Sequence, residues 1–333
     1  MFGSRPAAPA RRSNAPASTR CAAPRRSTSR SGRRCGARAA RWSRLAERLA
    51  APAPAKVNLA LDVLGRRTDG YHELDTLFLE LELADRLELV PADAPGLEVS
   101  GPHATDVPAG PGNLAWRALE LAAAAAGVVP RYTLRIDKQI PAAGGLAGGS
   151  SDAAAVLRLA ARLWPESAPK LPALALELGS DVPFFLLGGF ARGRGRGELL
   201  EPLPPLCAHD VVLFLPPAGT EAVERKTAAV FAKLAELDPR PPAVSSVLER
   251  VRGGSLSTED LLGANALERA ALAVFPWLEE HRARIEAAIG SPVVLTGAGP
   301  TWFWIGPAGS GRAVAQRARQ AGLEVIETRT AAR

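Results

Sequence analysis

Cysteine, histidine, lysine and aromatic residues are all scarce in this chain, and each scarcity closes off a class of function. Only three cysteines occur in 333 residues, and two of them, Cys21 and Cys35, lie in an arginine-rich N-terminal stretch. Cys207 stands alone in the remainder. A lone thiol excludes a disulfide scaffold, and four histidines form no Cys/His cluster spaced for zinc. Both facts suit a reducing cytoplasm. A membrane helix needs roughly 18–20 uninterrupted apolar residues. The longest candidate, Leu119–Val129, is shorter and alanine-rich, so no membrane partner is expected. Aromatic residues make up 5% of the chain and do not interleave with basic ones, which argues against a nucleic-acid partner.

The net charge of +7 is misleading. Residues 1–51 hold 13 arginines against one acid, Glu47, and so carry +12. The rest of the chain has 28 basic and 33 acidic side chains, a net charge of −5. Nucleic-acid binding would therefore have to rest on the arginine tail alone, and would be salt-sensitive. Residues 1–51 are rich in Arg, Ser, Ala and Pro, and cannot bury enough apolar surface to offset their ordering entropy. They are expected to be a disordered basic extension. Two origins fit that segment: an organelle transit peptide, which implies a plastid, or a start codon placed too far upstream. The second is preferred, with a bacterial cytoplasm as the location. Lysine supplies only 5 of the 41 basic residues, and Ala, Gly, Pro and Arg abound, as in a GC-rich genome.

Ordered structure is expected from Ala53. Val57, Leu59, Leu61 and Val63 alternate with Lys56, Asn58, Ala60 and Asp62, which predicts a strand with one buried face. Lys56 and Asn58 then stand side by side on the other face. Leu77, Leu79, Leu81 and Leu83 alternate again around Glu80 and Glu82. A helix is expected from an N-cap at Asn113 to Ala126, closed by Gly127, and another over about 151–163 stopped by Pro165. A strand at 211–215 opens a second region. It has helices near 221–237, 243–252, 265–275, 277–289 and 311–321, and strands near 293–296, 301–305 and 323–328. The mixture lacks a regular βαβ rhythm, so the fold class is α+β.

Four segments carry chemistry. The first is P-A-A-G-G-L-A-G-G-S-S-D-A-A at 141–154. Its glycines let backbone approach a ligand, and Ser150 and Ser151 are placed to cap a helix whose free amides and dipole attract phosphate. It is neither a Walker A motif, lacking Gly-Lys-Ser/Thr, nor a dinucleotide fingerprint. Glycine spacing alone fits an ordinary loop equally well. The second is P-A-K-V-N-L-A-L-D-V-L-G-R-R-T-D-G-Y-H-E-L at 54–74, where the turn Asp69-Gly70 presents Tyr71 and His72. The third is L-G-S-D-V-P-F-F-L at 178–186, where Asp181 is set among apolar residues; it could be a general base, although local sequence favours a capping role. The fourth is L-T-G-A-G-P-T-W-F-W at 295–304, a turn between strands that brings backbone close to a facing domain or to phosphates.

Together and in this order, the four segments resemble the GHMP kinases over roughly residues 53–328. The second and third point to the branch acting on a cytidine diphosphate methylerythritol in the non-mevalonate isoprenoid route. That resemblance implies a two-domain α+β fold. Residues 52–205 would form an ATP-binding domain like ribosomal protein S5 domain 2, and residues 206–333 a ferredoxin-like domain. It implies ATP as co-substrate with Mg²⁺, a small-molecule substrate, and a monomer or weak homodimer. It assigns Asp181 as the catalytic base and Lys56 as its paired cation. It assigns the ATP phosphates to Pro141, Ala142, Ala143, Gly144, Gly145, Leu146, Ala147, Gly148, Gly149, Ser150 and Ser151; for Mg²⁺ the candidate contact is Ser150, with Ser151 the alternative. Asn58, Tyr71 and His72 would hold the cytidine diphosphate end, Tyr71 by stacking on the base. Four features depart from the family pattern. Ala147 replaces a glycine, Ala298 and Pro300 replace serines, and Asn265-Ala266-Leu267-Glu268 lacks an expected carboxylate. Phe231 is a weak match to a second stacking aromatic.

Overall fold

The two alternating apolar segments form one long antiparallel hairpin, β1 (Leu49–Arg66) with β2 (His72–Pro91). This is a computed structural model that describes residues 47–331 apart from 106, 218, 221–225 and 255. The hairpin is the centre of a six-stranded sheet completed by β3 (Gly96–Ser100), β4 (Tyr132–Asp137), β5 (Phe190–Gly195) and β6 (Leu199–Pro202). The strand order is β3-β4-β2-β5-β6 with β1 on β2, and only the β3–β4 pairing is parallel. A second sheet has four strands: β7 (His209–Phe214), β8 (Val294–Leu295), β9 (Trp302–Pro307) and β10 (Val325–Arg329), ordered β10-β7-β9-β8.

Helices α1 (Leu114–Ala126) and α2 (Gly148–Leu163) cover one face of the first sheet. Small residues allow the close approach: Ala115, Ala118, Ala122, Ala154 and Ala160 share a core with Leu87, Leu89, Tyr132 and Leu134. Asn113 caps α1 by accepting from the amides of Ala115 and Trp116, and Gly127 closes it at φ 68°, both as expected. The short helices α3 (Leu171–Leu178) and α4 (Val182–Leu187) follow. Helices α5 (Lys226–Leu234), α6 (Val244–Arg252), α7 (Glu268–Val274), α8 (Trp277–Ile289) and α9 (Gly311–Gln320) belong to the second half of the chain.

Two expectations change. Order begins at Leu49, not Ala53: Leu49 is 3% exposed and packs with Leu87 and Leu89, so Leu49, Ala50 and Ala51 are strand rather than disordered extension. The rest of that extension, residues 1–46, and the start of the helix expected near 221 lie outside the described residues. The second change is that β1 has no exposed face from Ala53 to Asp62. Val57 and Leu59 share a core with Leu79, Leu81, Val211, Leu213 and Phe303, which joins the two sheets. The edge of β1 that β2 leaves free is taken by the second half. Leu61 donates to Ala264 O at 2.8 Å and accepts from Ala266 N at 2.8 Å. Glu80, on the face expected to be polar, is also buried and accepts from Gly189 N at 2.8 Å.

Asp62 ties this seam to α6. Its carboxylate accepts from Ala243 N at 2.8 Å and Val244 N at 2.9 Å, supplying a helix-start cap from distant sequence. Replacing Asp62 with Ala leaves buried amides unpaired, and the expected loss is about 1–3 kcal/mol of unfolding free energy. Denaturant titration checks this; an unchanged midpoint would contradict it.

Candidate active site

The glycine loop leads straight into α2, and its backbone is bent where alanine stands. Ala147, the residue before α2, is left-handed at φ 56° and ψ 31°, and Ala143 is left-handed at φ 55°. An L-residue there costs roughly 1–2 kcal/mol, the cost that a glycine would avoid. The expected capping by Ser150 and Ser151 is corrected. The helix starts at Gly148, so both serines lie inside its first turn, and no side chain caps it. Its leading amides therefore face the loop without side-chain partners. Ser151 Oγ is also buried with no partner among the described residues. Gly145 allows the loop to press on the 296–301 turn, because a Cβ there would meet Gly299 O at 2.8 Å. At Gly149 the nearest neighbour to an added Cβ is Leu114 Cδ1 at 3.8 Å, which leaves that side of the helix start open.

Lys56 and Asn58 do stand side by side on β1. Lys56 Nζ donates to Asn58 Oδ1 at 2.6 Å, Asn58 Nδ2 donates to Thr76 Oγ1 at 2.8 Å, and Thr76 Oγ1 donates to Ala60 O at 2.7 Å. Lys56 is 5% exposed, and its backbone amide donates to Leu146 O in the glycine loop at 3.2 Å. Asp181 Oδ2 lies 3.8 Å from Lys56 Nζ. Burial lowers the Lys56 pKa, and the Asp181 charge opposes that shift. Asp181 immediately precedes α4 but makes no capping bond, so the capping role suggested by local sequence is not the one observed.

Residues that sequence reasoning passed over complete this cluster. Thr296 Oγ1 accepts from Asn58 N at 3.1 Å. Asn265 Nδ2 donates to Leu295 O at 2.9 Å and Gly297 O at 2.8 Å, holding the turn against β1. The turn's approach is close enough that a Cβ on Gly297 would sit 3.2 Å from Asn58 Oδ1. The Asn265-Ala266-Leu267-Glu268 motif is the available signal for Asn265 and the 295–304 segment for Thr296; nothing in the local sequence marks Thr76.

A buried charge cluster supports the loop from below. Lys138 Nζ donates to Asp85 Oδ2 at 2.5 Å and Asp152 Oδ2 at 2.9 Å, and Asp85 Oδ1 also accepts from Gln139 N and Ile140 N at 2.6 and 2.8 Å. Two carboxylates share one ammonium here. Burial, opposed by Lys138 and reinforced by Asp85, pushes the Asp152 carboxyl up to about 7. Burial also acts to lower the Lys138 pKa, but Asp152 and Asp85 outweigh it and raise it.

Tyr71 and His72 leave the β1–β2 turn in different directions. Tyr71 is half exposed, with the Arg196 guanidinium 4.3 Å from its ring centre. His72 instead stacks on Phe231 of α5, with ring centroids 4.5 Å apart and planes 19° from parallel. Burial and the Arg66 charge lower the His72 pKa and favour its neutral ring. A cleft of about 340 Å³ opens beside His72, and Arg66, Arg240 and Arg269 are among its lining residues. A wider depression of about 740 Å³ at Arg312, Gln316 and Arg319 contains none of the expected site residues.

The family described as GHMP kinases N terminal domain matches residues 113–189. The chain is 39% identical over 286 residues to a protein of Pelotomaculum thermopropionicum named 4-diphosphocytidyl-2-C-methyl-D-erythritol kinase, covering 85% of this chain and 98% of that one. A protein of the same name from Mycobacterium avium is 42% identical, covering 76% of this chain and 81% of that one. Among solved structures, a 4-(cytidine 5'-diphospho)-2C-methyl-D-erythritol kinase superposes with a TM-score of 0.67 at 39% identity, covering 85% of this chain and all of that chain (100%). Homoserine kinase from Cytophaga hutchinsonii shares the fold at a TM-score of 0.61 and 16% identity, over 85% of this chain and 94% of that one.

The proton on Asp152 has a measurable consequence. Between the ordinary carboxylate range and about 7 the folded chain holds this proton and the unfolded chain does not, so stability from this site falls as pH rises through that window. Asp152→Asn removes the titration. The unfolding free energy of wild type relative to this variant should fall from about pH 4 to about pH 7. Curves that run parallel across that range would contradict the assignment.

Proposed function

Because the chain belongs to the 4-diphosphocytidyl-2-C-methyl-D-erythritol kinases of the GHMP kinase family, we propose that it moves the γ-phosphoryl group of ATP to the 2-hydroxyl of that diphosphocytidyl substrate, with Asp181 as general base and Lys56 as its paired cation. The observation that carries this reading is the 3.8 Å separation of Lys56 Nζ and Asp181 Oδ2, beside a loop whose backbone is bonded to Lys56 itself.

In this reading Asp181 accepts the proton of the 2-hydroxyl as its oxygen attacks the γ-phosphorus. The bond from that phosphorus to the bridging oxygen breaks, ADP leaves, and Asp181 later releases its proton to water. Lys56 lies where it can polarise the hydroxyl and offset charge on the transferring group. Phosphoryl transfer depends mostly on positioning and charge stabilisation, which suits a site built from one base, one cation and a backbone cradle. The residues present fit a triphosphate: the uncapped start of α2 and the open side of Gly149 are suited to anionic oxygens. No cluster of three His, Cys, Asp or Glu side chains suited to a metal occurs among the described residues, so Mg²⁺ would be held mainly by phosphate oxygens, with Ser150 as the hydroxyl contact. When bound it would neutralise charge developing on the β- and γ-phosphates.

The cytidine end is assigned to Tyr71, His72 and Asn58. Asn58 already accepts from Lys56 and donates to Thr76, which leaves its second N–H for substrate. Phe231 backs His72, and Tyr71 is exposed enough to stack on a base, a contact worth about 1–3 kcal/mol. We further assign residues 52–205 to an ATP-binding domain and 206–333 to a second domain, in line with the separate six- and four-stranded sheets. The enzyme is read as cytoplasmic and as a monomer or weak homodimer. No helix among the described residues is long and apolar enough to cross a membrane.

A coupled ADP-release assay tests the reading. ADP should form with the diphosphocytidyl substrate and not with mevalonate or homoserine; the reverse pattern would overturn the substrate assignment. Asp181→Asn should lower kcat about 100- to 10,000-fold while nucleotide still binds. A near-normal kcat in that variant would remove Asp181 as the base.

A further inference from the structure

The chain has only five lysines, and arginine is its default cation. Three of the five converge on the glycine loop. Lys56 bonds to Leu146 O through its amide, Lys138 Nζ lies 3.1 Å from where a Cβ on Gly148 would stand, and the third is Lys226 of α5. The Lys226 ammonium donates to Ala143 O in the glycine loop and to Gly299 O in the 296–301 turn, the latter at 2.5 Å. It therefore sits where three parts of the chain meet, over a loop residue that is itself left-handed.

Two features of this ammonium point beyond a structural tie. An ammonium has three donors, and the two carbonyls use two of them. Neither acceptor carries a full negative charge, and the charge that shifts its pKa is another cation, Lys56. Burial first, and then Lys56, push the Lys226 ammonium down to about 8. A half-buried cation with neutral partners and a second cation nearby is a site waiting for an anion.

We propose that Lys226 is a phosphate-binding residue of this kinase, whose third N–H bonds an oxygen of the ATP triphosphate while its other two hold the glycine loop against the 296–301 turn. The proposal rests on the reading that the triphosphate lies on residues 141–151. It makes nucleotide binding close the contact between the two loops, because the ligand completes the coordination of a group already bonded to both. A compact ammonium can reach two carbonyls and a phosphate at once, and a planar guanidinium is less suited to that geometry.

Steady-state kinetics of the full chain test this with Lys226→Ala, Lys226→Gln and Lys226→Arg, with Gly149→Val as a loop control and thermal melts to confirm folding. Lys226→Ala should raise KM for ATP roughly 10- to 100-fold, as expected for loss of one charge-assisted bond, with KM for the cytidine substrate unchanged. Lys226→Gln keeps N–H donors but drops the charge; it should be as impaired as Lys226→Ala, and Lys226→Arg should recover part of the loss. A wild-type KM for ATP in Lys226→Gln would reduce Lys226 to a tie between loops and overturn the proposal. A raised KM in Gly149→Val with a wild-type KM in Lys226→Ala would overturn the Lys226 proposal alone. Wild-type values in both would overturn the loop reading as well.

Discussion

The Lys56 ammonium is buried at 5% exposure, with one carboxylate at 3.8 Å and one amide oxygen at 2.6 Å. A buried lysine is costly unless its surroundings are arranged for it, and much of the structure is that arrangement. β1 is paired on both edges: β2 takes one, and on the other Leu146 O accepts from Lys56 N, Thr296 Oγ1 from Asn58 N, and Ala264 and Ala266 bond Leu61. Asn58 is held by Thr76 and Thr296, one from each half of the chain. Asn265 fixes the turn carrying Thr296 and Gly297. The cation is thus positioned by residues drawn from both sheets, and any shift between them would move it relative to Asp181.

The glycine loop depends on the same constraint. Its Leu146 carbonyl receives the Lys56 amide, and its Gly144 carbonyl receives Thr301 N at 3.3 Å. These ties hold Ala143 and Ala147 in left-handed backbone that isolated alanines avoid. Ala147 is therefore held by its context in a conformation that glycine adopts freely. Beneath the loop, Lys138 and its two aspartates fix the strand end and the first turn of α2 in a polar cluster whose Asp152 carboxyl is pushed up to about 7.

Much of this can be read from the residues. The period-two pattern locates β1 and places Lys56 beside Asn58, and Asn113 and Gly127 mark both ends of α1. Polarity patterns report which side chains differ, not what covers them. That is why the pattern of β1 calls for only one buried face, although Val57 and Leu59 pack toward the second sheet while Lys56 and Asn58 are buried at the glycine loop and the 296–301 turn. The misplacement of Ser150 and Ser151 as caps has a similar cause: serine is a common cap, but here the helix begins earlier, at Gly148, after the left-handed Ala147. Leu49 reads as part of the arginine-rich tail because its neighbours do, and only its insertion against Leu87 and Leu89 shows otherwise. The pairing of His72 with Phe231, and the roles of Thr76 and Lys226, join residues far apart in sequence and carry no local signal.

The central claim is that Lys56 and Asp181 act as one unit. The measurement that tests it most directly is a double-mutant cycle on kcat, at saturating ATP and cytidine substrate, with Lys56→Met, Asp181→Asn and the two combined. Residues that serve a single step together lose little more when both are removed than when the worse one is. The account predicts that the double variant is no slower than the slower single variant. Losses that multiply would show that the two groups act independently, and would contradict it.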